Sequence, residues 1–144
     1  EMIKSQSNLQ EGKMDQKTSD AIENKVHRLL KERGAFADKA FICPHHPDAV
    51  VARLKKACGC RKPKPGLILQ AAKDLDIDLH GSIFLGDKAS DVLAGRAAGV
   101  KTIIYTHNED EPGKSLESER IKSDYKASSA NEVLLILEKF FKSK

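Results

Sequence analysis

The sequence predicts an α/β protein built on a Rossmann-like parallel sheet. Helix-period segments alternate with short apolar strand segments along most of the chain. Residues 100–105 form a β-branched run suited to a buried strand. The size also fits: 144 residues, 40% hydrophobic and 32% charged, are one globular domain's worth of chain.

The elements follow in order. Residues 1–14 are polar and mixed. Residues 15–34 read as a helix, because Ile22, Val26, Leu29 and Leu30 recur on one face, and Gly34 is its stop. Ala40-Phe41-Ile42 is a short strand leading into Cys43. Residues 47–56 hold one or two helical turns, with Val50, Val51 and Leu54 predicted inward. Pro65 opens a second clear helix, its fixed φ suiting a first helical position. Leu67, Ile68, Ala71, Ala72 and Leu75 form that helix's predicted buried stripe. A compact strand over 82–85 ends in Gly86-Asp87, a small-residue helix over 90–98 is closed by Gly99, and the strand over 100–105 follows. Residues 107–123, acidic and containing Pro112-Gly113, read as a surface loop. Residues 125–127 are a short last strand. Ser129-Ala130-Asn131-Glu132 has a capping-box pattern before the final helix over 133–141.

Composition bounds the function. No apolar run approaches the ~20 residues of a membrane span, and no basic head with an apolar stretch stands near Glu1. A net charge of +4 with no Trp, two Tyr and five Phe supplies poor base-stacking platforms, so neither nucleic acid nor membrane is the expected partner. Three cysteines in a chain read as cytoplasmic point to a metal or redox site rather than a disulfide framework.

All three cysteines and two of the five histidines lie in Cys43-Pro44-His45-His46-Pro47 and Cys58-Gly59-Cys60. Four sulfur and nitrogen donors in a closed tetrahedron favour Zn²⁺. The predicted set is Cys43, His45, Cys58 and Cys60, with His46 as the adjacent alternative nitrogen. Having no open position, this zinc would be structural and would order the loop 43–60, whose apolar content is too low to order itself. The plain alternative is three buried thiols.

Ligands of open parallel sheets bind beyond the carboxyl ends of the strands. Arg61-Lys62-Pro63-Lys64 follows the clip and precedes a helix N-terminus, a place suited to a phosphate. Arg61 suits a bidentate contact and Lys62 a point charge. Gly86-Asp87-Lys88-Ala89-Ser90-Asp91 delivers Asp87 to the sheet edge, where a hard carboxylate suits Mg²⁺. Asp91, one turn later, is placed to hydrogen-bond a metal water or to orient Lys88. The structural alternative makes Asp91 a helix cap and Asp87 a turn residue.

Together these residues resemble the haloacid-dehalogenase superfamily of Mg²⁺-dependent phosphatases. Lys62 is similar to its third motif and Gly86-Asp87-x-x-x-Asp91 to its fourth. The zinc clip, with its 15-residue step from Cys43 to Cys58, and the Cys60-Arg61-Lys62-Pro63 run resemble the zinc-containing D-glycero-D-manno-heptose 1,7-bisphosphate phosphatases of bacterial surface-sugar (lipopolysaccharide) synthesis. Histidinol-phosphate phosphatases share the clip with a shorter step. The resemblance implies phosphate-monoester hydrolysis of a sugar bisphosphate. In it Lys62 neutralises the transferring phosphoryl group, Arg61 and Lys88 contact the substrate, and Asp87 binds Mg²⁺ with Asp91 in support. Gln6 and Ser7 match the tail of the second motif, with Lys4 standing for its Thr and Ser5 for its Asn.

The departure is at the first motif. No Asp-x-Asp-Gly-Thr/Val occurs in the chain, and Asp15, Asp20 and Asp38 lack the following Gly-Thr and the preceding strand. The expectation is a single domain over 1–144, N-terminally incomplete and lacking the first strand of the fold. It is also expected to be inactive as it stands and prone to self-association through exposed sheet edges. The reading from a different class is a non-catalytic, zinc-stabilised module that binds a sugar phosphate or a partner chain.

Overall fold

The computed structural model describes residues 2–5, 15–106 and 122–143. The chain divides into two compact units, Glu1–Arg61 and Lys62–Lys144. The expected loop over 107–123 lies outside the described residues except for its last two positions, and Gln6 and Ser7 lie outside them entirely.

The first unit holds strand β1 (Met2–Ser5), helix α1 (Gln16–Glu32), strand β2 (Ala40–Cys43) and a single 3₁₀ turn at Ala52–Leu54. Strands β1 and β2 pair in parallel, with Ile3 opposite Phe41 and Ser5 opposite Cys43. The strand at Met2–Ser5 falls in a stretch whose composition reads as polar. Asp15 caps α1 by accepting the Thr18 N–H at 2.7 Å, one of the orphan donors of a helix start. The apolar stripe of α1 is only partly covered: Ile22 is 49% exposed and Leu29 is also exposed, Val26 and Leu30 are half-buried, and among the described residues of the helix Ser19 alone is buried. In the following loop the structure corrects the inward set. Leu54 is buried, but Val50 is 78% exposed and Ala49 takes its place in the small core. One 3₁₀ turn, with three residues per turn, rotates the pattern away from the helical spacing that the sequence suggests.

The second unit runs α2 (Gly66–Leu75), β3 (Ile83–Gly86), α3 (Ala89–Ala98), β4 (Lys101–Tyr105), β5 (Tyr125–Ala127) and α4 (Ala130–Lys142). Its sheet is parallel throughout, in the order β3-β4-β5. Pro65 sits at the N-cap of α2, one position earlier than expected, and Leu67, Ile68 and Ala71 are buried while Leu75 is exposed. The core lies on β4. Ile103 and Ile104 are fully buried, and Ile103 packs with Ala127 and Val133. Burial of each such side chain contributes about 1.5–3 kcal/mol. Helix α3 approaches the sheet closely because Gly95 has no side chain: a Cβ there would stand 2.6 Å from Thr102 Cγ2 and 3.2 Å from Phe84 Cδ1. Ser129 caps α4 through the Glu132 N–H at 3.3 Å, and the Glu132 carboxylate reaches back one residue further than a standard box, accepting the Ser128 N–H at 2.7 Å.

A polar clasp closes the start of β4 onto the approach to β5. Asp124 accepts the Thr102 N–H at 3.0 Å, the Thr102 hydroxyl at 2.9 Å and the Lys101 ammonium at 2.7 Å. Partial burial pushes the Asp124 carboxyl up, but the Lys101 and Thr102 donors outweigh it and hold the group below its ordinary value of 3.8. Stabilisation from a depressed carboxylate is complete above its unfolded value and is lost as pH falls through its folded one. Thr102 is fully buried, so removing its acceptor strands a buried N–H. We expect Asp124→Ala to lower stability by about 1–2 kcal/mol at neutral pH in urea unfolding. The difference from wild type should shrink below pH ~3.8; a pH-independent difference would contradict the clasp.

Candidate functional site

Strand β2 ends the first site. Its last residue, Cys43, is fully buried, and its sulfur lies 3.5 Å from Cys58 Sγ and 3.1 Å from Cys60 Sγ. Cys58 and Cys60 sulfurs are 3.1 Å apart, and Cys60 Sγ is 3.5 Å from His45 Nδ1. One ligand atom from each of Cys43, His45, Cys58 and Cys60 lies within 4.8 Å of all the others. The structure thus brings the four predicted donors together. His46 does not join them: its Nδ1 accepts the Asp48 N–H at 3.0 Å, and its backbone pairs with the Leu54–Lys56 stretch.

The group passes a chemical test for zinc. Three sulfurs and one imidazole are its preferred structural donors, and a filled tetrahedron with Zn–S bonds of about 2.3 Å has edges of about 3.8 Å. The sulfur separations fall short of that by about 0.3–0.7 Å, so an outward movement of that size would seat the ion. Without metal the thiols share their protons unequally. Burial raises Cys58, but hydrogen bonds from Cys60 and Cys43 outweigh it and bring the thiol to about 6. Burial, with the neighbouring sulfurs adding to it, pushes Cys60 up to about 12. A crowded thiol cluster with one easily ionised member is what a divalent cation completes. Arg61 leaves the cluster with its guanidinium near the His45 carbonyl, Nη1 to O at 3.4 Å, so the clip and the first cation of the basic run share a hydrogen bond.

The second site is at the carboxyl end of β3. Asp87 follows the strand and is exposed, as is Lys88. Asp91, on the first turn of α3, is only 3% exposed. Its Oδ2 accepts the Lys88 N–H at 3.0 Å, and its Oδ1 stands 2.5 Å from Lys62 Nζ. The latter pairing is ionic, since that oxygen lacks a well-directed hydrogen bond. The structure therefore joins Lys62 to Asp91 and leaves the carboxylate of Asp87 facing solvent. The Lys62–Pro63 peptide bond is cis.

One contributor escapes a reading by residue type. A Cβ on Gly86 would lie 2.2 Å from Asp91 Cβ and 2.6 Å from its Oδ2. Gly86 is thus the space into which the Asp91 side chain folds. The only sequence signal is a glycine directly before Asp87, which reads equally well as a turn.

A parallel α/β sheet carrying a lysine and two aspartates at its carboxyl edge defines a class, and comparison with known families confirms it. The HAD-hydrolase-like family model matches residues 59–133, more than half of the chain, and the chain belongs to that family. Among curated proteins it is similar to the D-glycero-alpha-D-manno-heptose-1,7-bisphosphate 7-phosphatase of Photorhabdus laumondii, 41% identical over 99 residues, covering 69% of this chain and 54% of the relative. It is likewise similar to the D-glycero-beta-D-manno-heptose-1,7-bisphosphate 7-phosphatase of Yersinia pestis, 37% identical over 107 residues, covering 73% and 57%. The chain thus spans little more than half the length of these curated relatives. Among solved structures it resembles the D,D-heptose 1,7-bisphosphate phosphatase of B. bronchiseptica, complexed with magnesium and phosphate. That match has a TM-score of 0.78 at 29% identity and covers 95% of this chain and 72% of the other.

Gly86→Ala is expected to force Asp91 out of its seat and to break its pairing with Lys62. Overpacking of this kind costs about 1–3 kcal/mol, measurable by denaturant unfolding. Wild-type stability in this variant would show that the close approach is not sterically demanding.

Proposed function

We propose that the chain carries the zinc clip, the phosphate-binding lysine and the Mg²⁺ carboxylate of a heptose-bisphosphate phosphatase-like hydrolase, and that by itself it does not turn substrate over. The observation that carries this reading is the gathering of Cys43, His45, Cys58 and Cys60 directly ahead of Arg61 and Lys62, with Lys62 held by the buried Asp91. The family membership and the heptose-bisphosphate phosphatase relatives support it.

The roles follow from charge. Cys43, His45, Cys58 and Cys60 hold Zn²⁺, which orders the loop and has no open position for chemistry. Asp87 holds Mg²⁺, which when bound offsets charge on the transferring phosphoryl oxygens. Lys62 has three N–H donors; Asp91 occupies one side of the ammonium and aims the rest at the phosphoryl group. Arg61 contacts the sugar phosphate; Lys88 is given a substrate contact, and Gln6 and Ser7, which lie outside the described residues, are assigned to substrate binding by the motif resemblance alone. Phosphoryl transfer depends on such placement of positive charge more than on covalent help from the protein.

Turnover also requires a nucleophile, and no Asp-x-Asp-Gly-Thr/Val occurs in these 144 residues. The run Asp74-Leu75-Asp76-Ile77-Asp78 does not serve, since it closes α2 in place of following a strand and lacks the glycine. This same gap favours the second reading, a non-catalytic module that binds a sugar phosphate. A histidinol-phosphate substrate is disfavoured by the 15-residue step between Cys43 and Cys58. The cytoplasm is the compartment that keeps such thiolates reduced.

The sheet edges add a further property. Among the described residues β3 pairs only with β4, and β1 only with β2. Leu85, in the middle of the apolar strand β3, is 48% exposed, and no charge or proline guards that edge. On this support we propose that the chain associates with a second copy along it.

Two measurements test these proposals. With Mg²⁺ and a heptose bisphosphate the chain should show no turnover, yet it should bind orthophosphate in calorimetry, with about tenfold weaker affinity in Lys62→Ala. Hydrolysis at ordinary enzyme rates would overturn the inactivity, and absence of phosphate binding would overturn the site. In sedimentation the chain should associate with rising concentration, and Leu85→Lys should reduce this; a monomer at all concentrations would refute the edge pairing.

A further inference from the structure

We propose that the sulfur cluster is an oxidative modification site: a peroxide converts Cys60 and one neighbouring cysteine to a disulfide, which expels the bound zinc and releases Arg61. The proposal rests on the zinc reading above. Its starting point is that Cys60 is the shared member of the two shortest sulfur pairs, 3.1 Å from both Cys43 and Cys58, while those two stand 3.5 Å apart. A disulfide needs about 2.05 Å, so roughly 1 Å of approach separates the metal-free arrangement from a bonded one, and about 1.7 Å once an ion has moved the sulfurs out to tetrahedral edges.

Access and slack are both present on the solvent side. Cys58 and Cys60 are partly exposed, whereas Cys43 is buried. Gly59 between them is exposed, and a Cβ added there would meet nothing within 4 Å, so packing does not clamp the turn that carries both outer sulfurs. Metal-bound sulfurs are thiolates, the nucleophilic form.

The chemistry balances. The thiolate sulfur of an outer cysteine attacks one oxygen of hydrogen peroxide. An S–O bond forms, the O–O bond breaks, and hydroxide leaves as water after taking a proton. The resulting sulfenic acid is attacked by a second thiolate, an S–S bond forms, the S–O bond breaks, and a second water departs. Two thiols lose two electrons and the peroxide gains them. Zinc coordination and the disulfide compete for the same sulfurs. Once two are bonded to each other, one thiol and the His45 imidazole remain, too few donors for a closed tetrahedral site.

The consequence reaches the neighbouring cation. Arg61 is bonded in sequence to Cys60 and hydrogen-bonded to the His45 carbonyl, in the same tripeptide that carries Cys43's partner imidazole. Oxidation moves the residue before it in the chain and the segment whose carbonyl it bonds. Phosphate affinity should therefore fall with zinc loss.

The test begins with the zinc content of the reduced full chain. One equivalent per chain establishes the site, and none would defeat the zinc reading itself. The holoprotein is then treated with hydrogen peroxide, while released zinc is followed with a metallochromic indicator, thiols are counted, and disulfides are mapped by mass spectrometry. The expected result is one zinc released for two thiols lost, a disulfide that includes Cys60, and recovery on adding a dithiol with Zn²⁺. Cys60→His keeps four donors while removing the shared sulfur, and it should retain its zinc at least fivefold longer under the same peroxide. Zinc retained with three intact thiols, a disulfide joining Cys43 to Cys58, or release from Cys60→His at the wild-type rate would each overturn the proposal.

Discussion

The constraint on which the rest depends is the convergence of three sulfurs and one imidazole at the end of β2. The loop between Cys43 and Cys58 buries little: Ala49 and Leu54, with Val51 against them, are its whole apolar cluster. An apolar contribution of that size does not offset the entropy of ordering some fifteen residues, at about 1–2 kcal/mol each. On the zinc reading proposed above, donor atoms drawn within 4.8 Å of one another would supply the remainder through metal binding, because binding energy at such a site is folding energy. The same clip fixes where the chain emerges, and it emerges at Arg61.

The second unit solves a different problem, that of keeping a carboxylate and an ammonium together out of water. A buried pair is costly to desolvate and is retained when geometry and further hydrogen bonds satisfy it. Asp91 meets both conditions, taking Lys62 on one oxygen and the N–H of Lys88, the N-cap residue of α3, on the other. Gly86 makes the space and β3 sets the height. The neighbour Asp87 is exposed. Two aspartates four residues apart thus have different environments: one is buried against the Lys62 ammonium and the other is open to solvent, where it takes a cation on the reading proposed above.

The elements that were legible share a physical character: their signals are local. The β-branched run at Lys101–Tyr105, the cap Ser129 and the Leu67, Ile68 and Ala71 part of the predicted stripe follow from neighbours within a few residues, and these appear in the structure. That Cys43, His45, Cys58 and Cys60 come together was legible because cysteine is rare and its chemistry narrow. What misled was periodicity without a partner. Ile22 and Leu29 lie on an α1 face that is left partly exposed, and Val50 is exposed on a bend ahead of the 3₁₀ turn, outside any helical repeat. The strand Met2–Ser5 has no apolar pattern of its own and is defined by its pairing with β2.

The sequence by itself determined the class of fold, the kinds of side chain available for a metal and a phosphate, and the absence of the Asp-x-Asp-Gly-Thr/Val stretch, because these depend on residue identity and short spacing. Only the tertiary structure decided that Lys62 pairs with Asp91, that His46 stands aside from the donors, and that Gly86 is a steric requirement. Those facts depend on distances between residues far apart in the chain or on the volume around a missing side chain, and a linear order of residues carries neither.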